Sequence, residues 1–366
     1  MEIRAAVTRQ AGQFSIEPVE LDDPQGDEVL VRLVATGMCH TDLVALDQHM
    51  PYPLPAILGH EGVGVIERAG PQAKHLRIGD HVVLSFAACG HCGPCQSGRP
   101  AYCQVARQLN LAIRRPDGRC AHHAAGQPVA AGFFGQSSFA SHALVRERDA
   151  VRVRNDVPLS ALAPLGCSVQ TGAGGVLNVL KPAAGSSIAV FGLGAVGLSA
   201  VMAARLAGCA RIIAIDLHAS RLDMATEFGA TDLIQVNDTS SAARVQTLVP
   251  GGADFAVEAT GIPAVMAEAV AATHRTGTSL MLGLPPPTVK VPLDAGLLLG
   301  GRTIRASIEG DSVPGLFIPQ LVELQRTGQL PFERMCRTYP LDAINDAVSD
   351  CRSGVTVKPI ITMDAA

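Results

Sequence analysis

Tryptophan is absent from the 366-residue chain and tyrosine occurs three times, so aromatic lining of any site must come mainly from ten phenylalanines. Long apolar runs are missing too. No stretch approaches the roughly 20 residues that span a bilayer, and the longest candidate, Ser187 to Val201, is broken by three glycines. The chain is therefore expected to make no membrane contact. Charge of one sign is not concentrated either. A formal net charge of −4, spread without long runs, excludes the basic footprint of a nucleic-acid binder. The opening Met1-Glu2-Ile3-Arg4 lacks the apolar core of a secretory signal, so the expected compartment is the cytoplasm.

What is present points to a large folded protein. Apolar residues make up 48% and charged residues 17%, a balance that excludes disorder. The length suggests about two domains. Ten cysteines in so long a chain are not a disulfide scaffold. In a reducing cytosol, clustered cysteines more often hold metal or do chemistry.

The first ~150 residues read as short strands punctuated by glycine and proline, as in Val29–Val34 and Gly62–Ile66. From about Val169 the rhythm becomes strand, helix, strand. Ser187–Phe191, Leu198–Leu206 and Arg211–Ile215 open this series, and Asp254–Glu258, Ser279–Leu282 and Thr303–Ser307 continue it. Such alternation predicts a parallel, doubly wound sheet and an α/β fold. It stops near Ser307. The tail carries one amphipathic helix, Pro319 to Arg326, and a last strand, Lys358–Ile361. The layout is a β-rich domain interrupted by a nucleotide-binding domain, with the tail returning to the first.

Gly192-Leu-Gly194-Ala195-Val196-Gly197 fits G-x-G-x-x-G between a strand and a helix. The first glycine allows the tight turn, the second lets the backbone approach pyrophosphate, and the third packs helix on strand. The helix N-terminus adds free N–H donors. Asp216 lies 19 residues past Gly197, where an acid would bind the adenosine ribose hydroxyls and repel a 2′-phosphate. That favours NAD over NADP, although Arg221 is placed to compensate partly for a 2′-phosphate.

Cys89, Cys92, Cys95 and Cys103 form C-x2-C-x2-C-x7-C. Four thiolates at this spacing wrap one tetrahedral Zn²⁺ and leave no open position, which makes the metal structural. The x2 spacing also suits iron–sulfur clusters, but there the fourth cysteine stands closer than it does here. Three further candidates are scattered: Cys39, His60 and Cys167. Taken singly, each reads as a buried hydrophobe or a satisfied polar group. Spacing does not join them, since Cys167 lies 107 positions beyond His60. Two cysteines, one histidine and an open position do, however, make a known catalytic zinc set.

These three segments, the cysteine lobe and the glycine turn occur in an order that resembles the zinc-containing medium-chain alcohol dehydrogenases across nearly the whole chain. Gly37–Leu43, Phe133–Ala140, Gln170–Gly174 and Phe317–Pro319 look most like the bacterial aryl-alcohol (benzyl alcohol) dehydrogenases. The terpene-alcohol (geraniol) dehydrogenases share much of this. The resemblance implies a GroES-like β-rich catalytic domain, residues 1–168 with 309–366, and a Rossmann domain, 169–308. It implies a site in the cleft between them, two zinc ions per chain, and NAD. It implies a small alcohol or aldehyde as partner and a homo-oligomer, dimer or tetramer.

Roles follow from that match. Cys39, His60 and Cys167 would hold the catalytic zinc. Thr41 would take the alcohol proton, Asp42 would orient His60, and Glu61 would be the acid beside the zinc. Thr171 would pack against the nicotinamide, while Lys358 and His40 would meet the pyrophosphate. One position departs from the pattern. Where many relatives carry a histidine three residues past the relay hydroxyl, this chain has Val44. His40, or water through the ribose hydroxyl, would replace that base. His49 is more remote, and His49, His122 and His123 read as surface residues. The implied reaction lowers the alcohol's pKa at zinc, relays a proton through Thr41 and passes hydride to NAD, which carries the redox change. The apolar set Leu43, Val44, Leu46, Pro51, Phe86 and Leu109 favours an aryl or allylic alcohol over a polyol or an aldehyde adduct. A non-catalytic NAD-binding structural protein is a further alternative, against which the intact ligand set speaks.

Overall fold

The computed structural model describes residues 1–111, 115, 117–286 and 288–363. Two compact units emerge: Met1–Cys167 with Val313–Glu323 and Cys336–Ala366, and Ser168–Ser312 with Leu324–Met335.

The first unit is built on two sheets among the described residues. In the larger, Glu28–Gly37 is central, pairing with Gly62–Ala69, His142–Arg146 and Lys358–Thr362. Its burial is nearly continuous, because this strand is covered on both faces. The last strand crosses the whole sequence to pair with it, with Ile360 opposite Gly37 and Thr362 opposite Ala35. The smaller sheet runs Ala56–Ile57, Glu2–Thr8, Ser15–Leu21, His122–Ala124, Gln127–Pro128. A core of Phe14, Leu43, Leu46, Ile57, Phe133, Phe139 and their neighbours packs here.

The second unit is a six-stranded parallel sheet. Its order is Asp232–Gln235, Arg211–Asp216, Ser187–Phe191, Ala253–Glu258, Thr273–Met281, Thr303–Ala306. In chain order this is 3-2-1-4-5-6, the Rossmann arrangement, whose crevice opens where the order reverses. Ser187–Phe191 is fully buried at that point. The helix expected from Leu198 begins at Ala195, directly after the glycine turn.

Two expectations for the tail need correction. Its helix spans Pro314–Arg326 and includes Pro319 instead of starting there. A second helix, Ile344–Ser353, follows. Only Ile344, Ala347 and Val348 are buried on it, so its apolar stripe is short and its sequence reads as polar. No described helix is long and apolar enough to cross a membrane.

Candidate functional site

Cys39 caps the helix His40–Leu46, and the cap is shared with the next ligand. The Cys39 N–H donates to Asp42 Oδ2 at 2.8 Å, while Asp42 Oδ1 pairs with His60 Nδ1 at 2.8 Å and accepts from Gly59 N at 3.2 Å. Asp42 and His60 are each 1% exposed. A carboxylate only accepts, so Nδ1 carries the proton and Nε2 presents its lone pair. That Nε2 is buried and has no hydrogen-bond partner. It lies within 4.8 Å of the Cys39 and Cys167 sulfurs. Cys167 reaches this point because Gly166 passes so close to the neighbouring strand that a Cβ there would stand 2.6 Å from Leu84 O.

The electrostatics call for a cation. A hydrogen bond from Cys167 holds the Cys39 thiol well below its usual range against burial, with His60 and Lys358 adding to it. The thiolate is the ligating form. Two cysteine sulfurs and one imidazole with an orphaned nitrogen fit a three-ligand catalytic zinc, which would supply Lewis-acid chemistry toward an alcohol oxygen when bound. Thr41 Oγ1 stands 3.9 Å from Cys39 Sγ.

Lys358 is not where the sequence suggested. Its ammonium is 1% exposed and forms an ion pair with Glu61, itself fully buried, and donates to Met38 O at 3.0 Å. A lysine so engaged is withheld from a pyrophosphate. The cause is the pairing of the last strand with Glu28–Gly37, which draws Lys358 inward beside His60's neighbour.

An aromatic group surrounds His60. Phe134 stacks on the imidazole at 4.6 Å and 28°, and Phe133 meets it edge-on at 5.7 Å. Tyr52 packs on Phe133 at 5.4 Å. Gln136 clamps the ligand segment, accepting from Gly62 N at 3.0 Å and donating to His60 O at 2.9 Å. Sequence reasoning assigned no role to Tyr52, Phe134 or Gln136. For Phe134 and Gln136 the only signal was the run Phe133–Ala140, read for likeness alone, and for Tyr52 there was none.

The four-cysteine lobe closes on itself. Sulfur separations are 3.4 Å for Cys92–Cys95 and 3.9 Å for both Cys89–Cys95 and Cys92–Cys103. The edge of a tetrahedron with Zn–S bonds of about 2.3 Å is about 3.8 Å, so the cage fits zinc. Backbone N–H groups of Gln104 and Cys95 push the Cys92 thiol down to about 6. Since this set leaves no position for substrate, a metal held here would stabilise the fold. Cys95→Ser is expected to lower the melting temperature and to lose the lobe zinc first, with turnover falling only afterwards. Differential scanning fluorimetry with metal analysis checks this; loss of turnover alone, with both metals and stability intact, would count against it.

In the second unit, the glycine turn has the geometry of a phosphate cradle. Gly192 is at φ 86°, and a Cβ on Gly197 would stand 1.8 Å from Gly192 O. A Cβ on Gly194 would meet nothing within 4 Å, which leaves the helix N-terminus at Ala195 and Val196 open to an anion. Asp216 is 7% exposed; it accepts from Leu193 N at 2.7 Å and His218 N at 2.9 Å. Each carboxylate oxygen keeps a lone pair for a ribose hydroxyl. Arg221 Nη1 sits 3.8 Å from Asp216 Oδ2. Thr171 donates to Glu309 Oε2 at 3.3 Å, and Gln170 to the same oxygen at 3.1 Å. Glu309 is a buried acid that the sequence gave no reason to single out.

His40 and His49 are exposed, and Val44 is half-buried. His122 corrects the surface reading: it is 6% exposed, and burial, with Arg115 next, pushes it down to about 3. Leu43 and Leu46 sit in the main core, while Phe86 and Leu109 pack against the cysteine lobe. The apolar set is thus split between two cores, because Leu43 and Leu46 share one face of the helix His40–Leu46, while Phe86 and Leu109 lie on segments that flank the cysteine lobe.

Comparison with known proteins follows the same division. Residues 25–155 match the alcohol dehydrogenase GroES-like domain, and residues 195–324 match the zinc-binding dehydrogenase domain. The chain is 44% identical over 362 residues to a geraniol dehydrogenase from Castellaniella defragrans, covering 98% of this chain and 97% of that one. The crystal structure of benzyl alcohol dehydrogenase from Acinetobacter calcoaceticus superposes with a TM-score of 0.96 at 45% identity, covering 99% of each chain. An alcohol dehydrogenase zinc-binding domain protein from Burkholderia ambifaria reaches a TM-score of 0.97 at 50% identity, covering 100% of each. The chain belongs to the zinc-binding medium-chain alcohol dehydrogenase family.

Proposed function

We propose that this enzyme oxidises a primary aromatic alcohol of the benzyl type to its aldehyde, reversibly, with NAD as hydride acceptor. The observation that carries the reading is the Cys39–His60–Cys167 set, with His60 and Cys167 buried and His60 Nε2 orphaned, packed by Phe133 and Phe134 with Tyr52 behind Phe133. Phe134, the one of the three rings left partly exposed, offers an apolar surface that suits an apolar, aromatic substrate. An allylic terpene alcohol of the geraniol or perillyl kind is the second reading, because geraniol dehydrogenase is about as similar as benzyl alcohol dehydrogenase. Zinc supplies Lewis-acid polarisation when bound, and NAD the hydride acceptor. Asp42 orients His60, Glu61 sits beside that ligand, Thr41 takes the proton, and Thr171 supports the nicotinamide. Values of kcat/KM for benzyl, cinnamyl, geranyl and perillyl alcohols, 1-butanol and sorbitol test this. Benzyl alcohol leading supports the first reading, and geraniol leading by tenfold replaces it with the second. Turnover of none of them, with one zinc per chain, would indicate a retired site.

NAD is preferred over NADP, because the Asp216 carboxylate would face a 2′-phosphate. Asp216→Ser is expected to narrow the kcat/KM ratio between the cofactors by about tenfold or more, a like-charge contact in a partly buried site being worth at least ~1.4 kcal/mol. Equal use of both cofactors by the parent would sink the idea.

The chain works as a homo-oligomer. Thr303–Ala306 is an edge strand with all four residues exposed, and Leu298, Leu299 and Ile308 beside it are exposed as well. Edge strands so placed invite pairing with a second copy. Sedimentation that gives a monomer at micromolar concentration would overturn this. Cysteines gathered into two sets, each of which could hold a metal, suit a reducing cytoplasm.

A further inference from the structure

Phe134 occupies a backbone conformation that bulky residues avoid, φ 51°. Such a conformation persists only where the surroundings over-determine it, and these do. Ser137 Oγ accepts from Gly132 N at 2.8 Å and Phe133 N at 3.0 Å, and donates to Ile57 O at 2.6 Å. Phe134 N donates to Asn110 O at 2.6 Å.

Asn110 is the junction. It ends the short helix Ala106–Asn110 that follows Cys103, with Ala106 N bonded to Cys103 O at 2.9 Å. Its side chain brackets Ala87, accepting from Ala87 N at 2.8 Å and donating to Ala87 O at 2.8 Å. Ala87 leads through Ala88 into Cys89. The first and last cysteines of the lobe therefore both run into Asn110, whose carbonyl holds Phe134. The Phe134 ring packs against the Phe86–Cys89–Cys103 cluster and also lies flat on the imidazole of His60, at 4.6 Å.

We propose that Phe134 is a positioning residue that fixes the His60 imidazole for its metal, and that through Asn110 it makes the retention of that metal depend on the four-thiolate lobe. Asp42 fixes one edge of the ring by a hydrogen bond. That bond holds one edge of the ring, while the Phe134 face backs its plane against tilting, with Phe133 edge-on beside it. Supports of this outer kind typically change metal affinity by 10–100-fold when lost. The inference rests on the reading of Cys39, His60 and Cys167 as a metal set.

The test follows zinc leaving the full-length holoenzyme into a chromogenic chelator, with activity recorded alongside to identify which ion leaves. The parent is expected to release two zincs at distinct rates. Phe134→Leu should speed the activity-linked release at least tenfold and leave the other rate unchanged, while Phe134→Tyr, which keeps the ring, should return close to the parent. Asn110→Ala, with Phe134 intact, should accelerate the same release. If Phe134→Leu matches the parent in both rates and changes only KM for the alcohol, Phe134 is merely a wall of the pocket and the proposal is overturned. Equal acceleration of both zincs overturns it as well, since that is general loosening. A parent that carries only the lobe zinc would instead remove the metal-set reading itself, and the inference with it.

Discussion

Thr41→Val should keep both zinc ions and the fold while kcat for alcohol oxidation falls about 10²-fold or more, the usual contribution of a positioned proton acceptor. Thr41 lies in the first turn of its helix, half-buried, with its hydroxyl 3.9 Å from Cys39 Sγ. Valine keeps the β-branched shape and deletes only the hydroxyl proposed to take the proton. Alkaline buffer should restore part of the rate, since hydroxide then replaces the missing acceptor. Beyond Thr41 the path is unusual. Val44, one helical turn on and on the same face, neither accepts nor passes a proton. Val44→His should therefore raise kcat below about pH 8 wherever proton release limits the rate. Exposed His40 is the other candidate. If His40→Gln raises KM for NAD and leaves the pH profile alone, that residue binds phosphate; a lower kcat at neutral pH, recovered in alkali, makes it the terminal base. A Thr41→Val enzyme within threefold of the parent would remove the hydroxyl from the proton path.

Lys358→Met should cost about 3–5 kcal/mol, because it strands the fully buried Glu61 carboxylate beside the metal set. The side chain is 1% exposed, so water cannot enter to solvate the lone charge. It also removes a hydrogen bond to Met38 O. Methionine retains most of the stem's volume, so the loss reports charge and not a cavity. The double variant Glu61→Gln/Lys358→Met should recover much of the stability, since replacing both members of a buried pair by neutral groups is often close to neutral. Urea unfolding midpoints of the three proteins measure this. A single variant that unfolds at the parent's midpoint would show that Glu61 takes up a proton at little cost or finds another partner, and that the pair is not needed to hold the strand Lys358–Thr362 in place.

The sequence alone was enough wherever partners are neighbours along the chain. Cys89, Cys92, Cys95 and Cys103 lie within 15 residues, so their spacing by itself implied one closed cage. The glycine turn stands between one strand and one helix, and the alternation of strand with helix along the chain carried the parallel sheet, because each crossover is built from a segment that lies between its two strands in sequence. Tertiary structure decided the rest, for a common reason. Cys167, Lys358 and Phe134 reach His60 only through pairings between segments remote in sequence, and short-range periodicity carries no information about those. Lys358 reads, on the family resemblance, as a pyrophosphate contact and becomes a core residue because Ile360 pairs with Gly37. His122 reads as a surface histidine and is buried because its strand pairs with Ser15–Leu21. Phe134 reads as one more apolar residue. Its ring lies on His60 because the loop that carries it is pinned in a left-handed turn by Ser137 and Asn110, contacts that exist only once the sheets have closed.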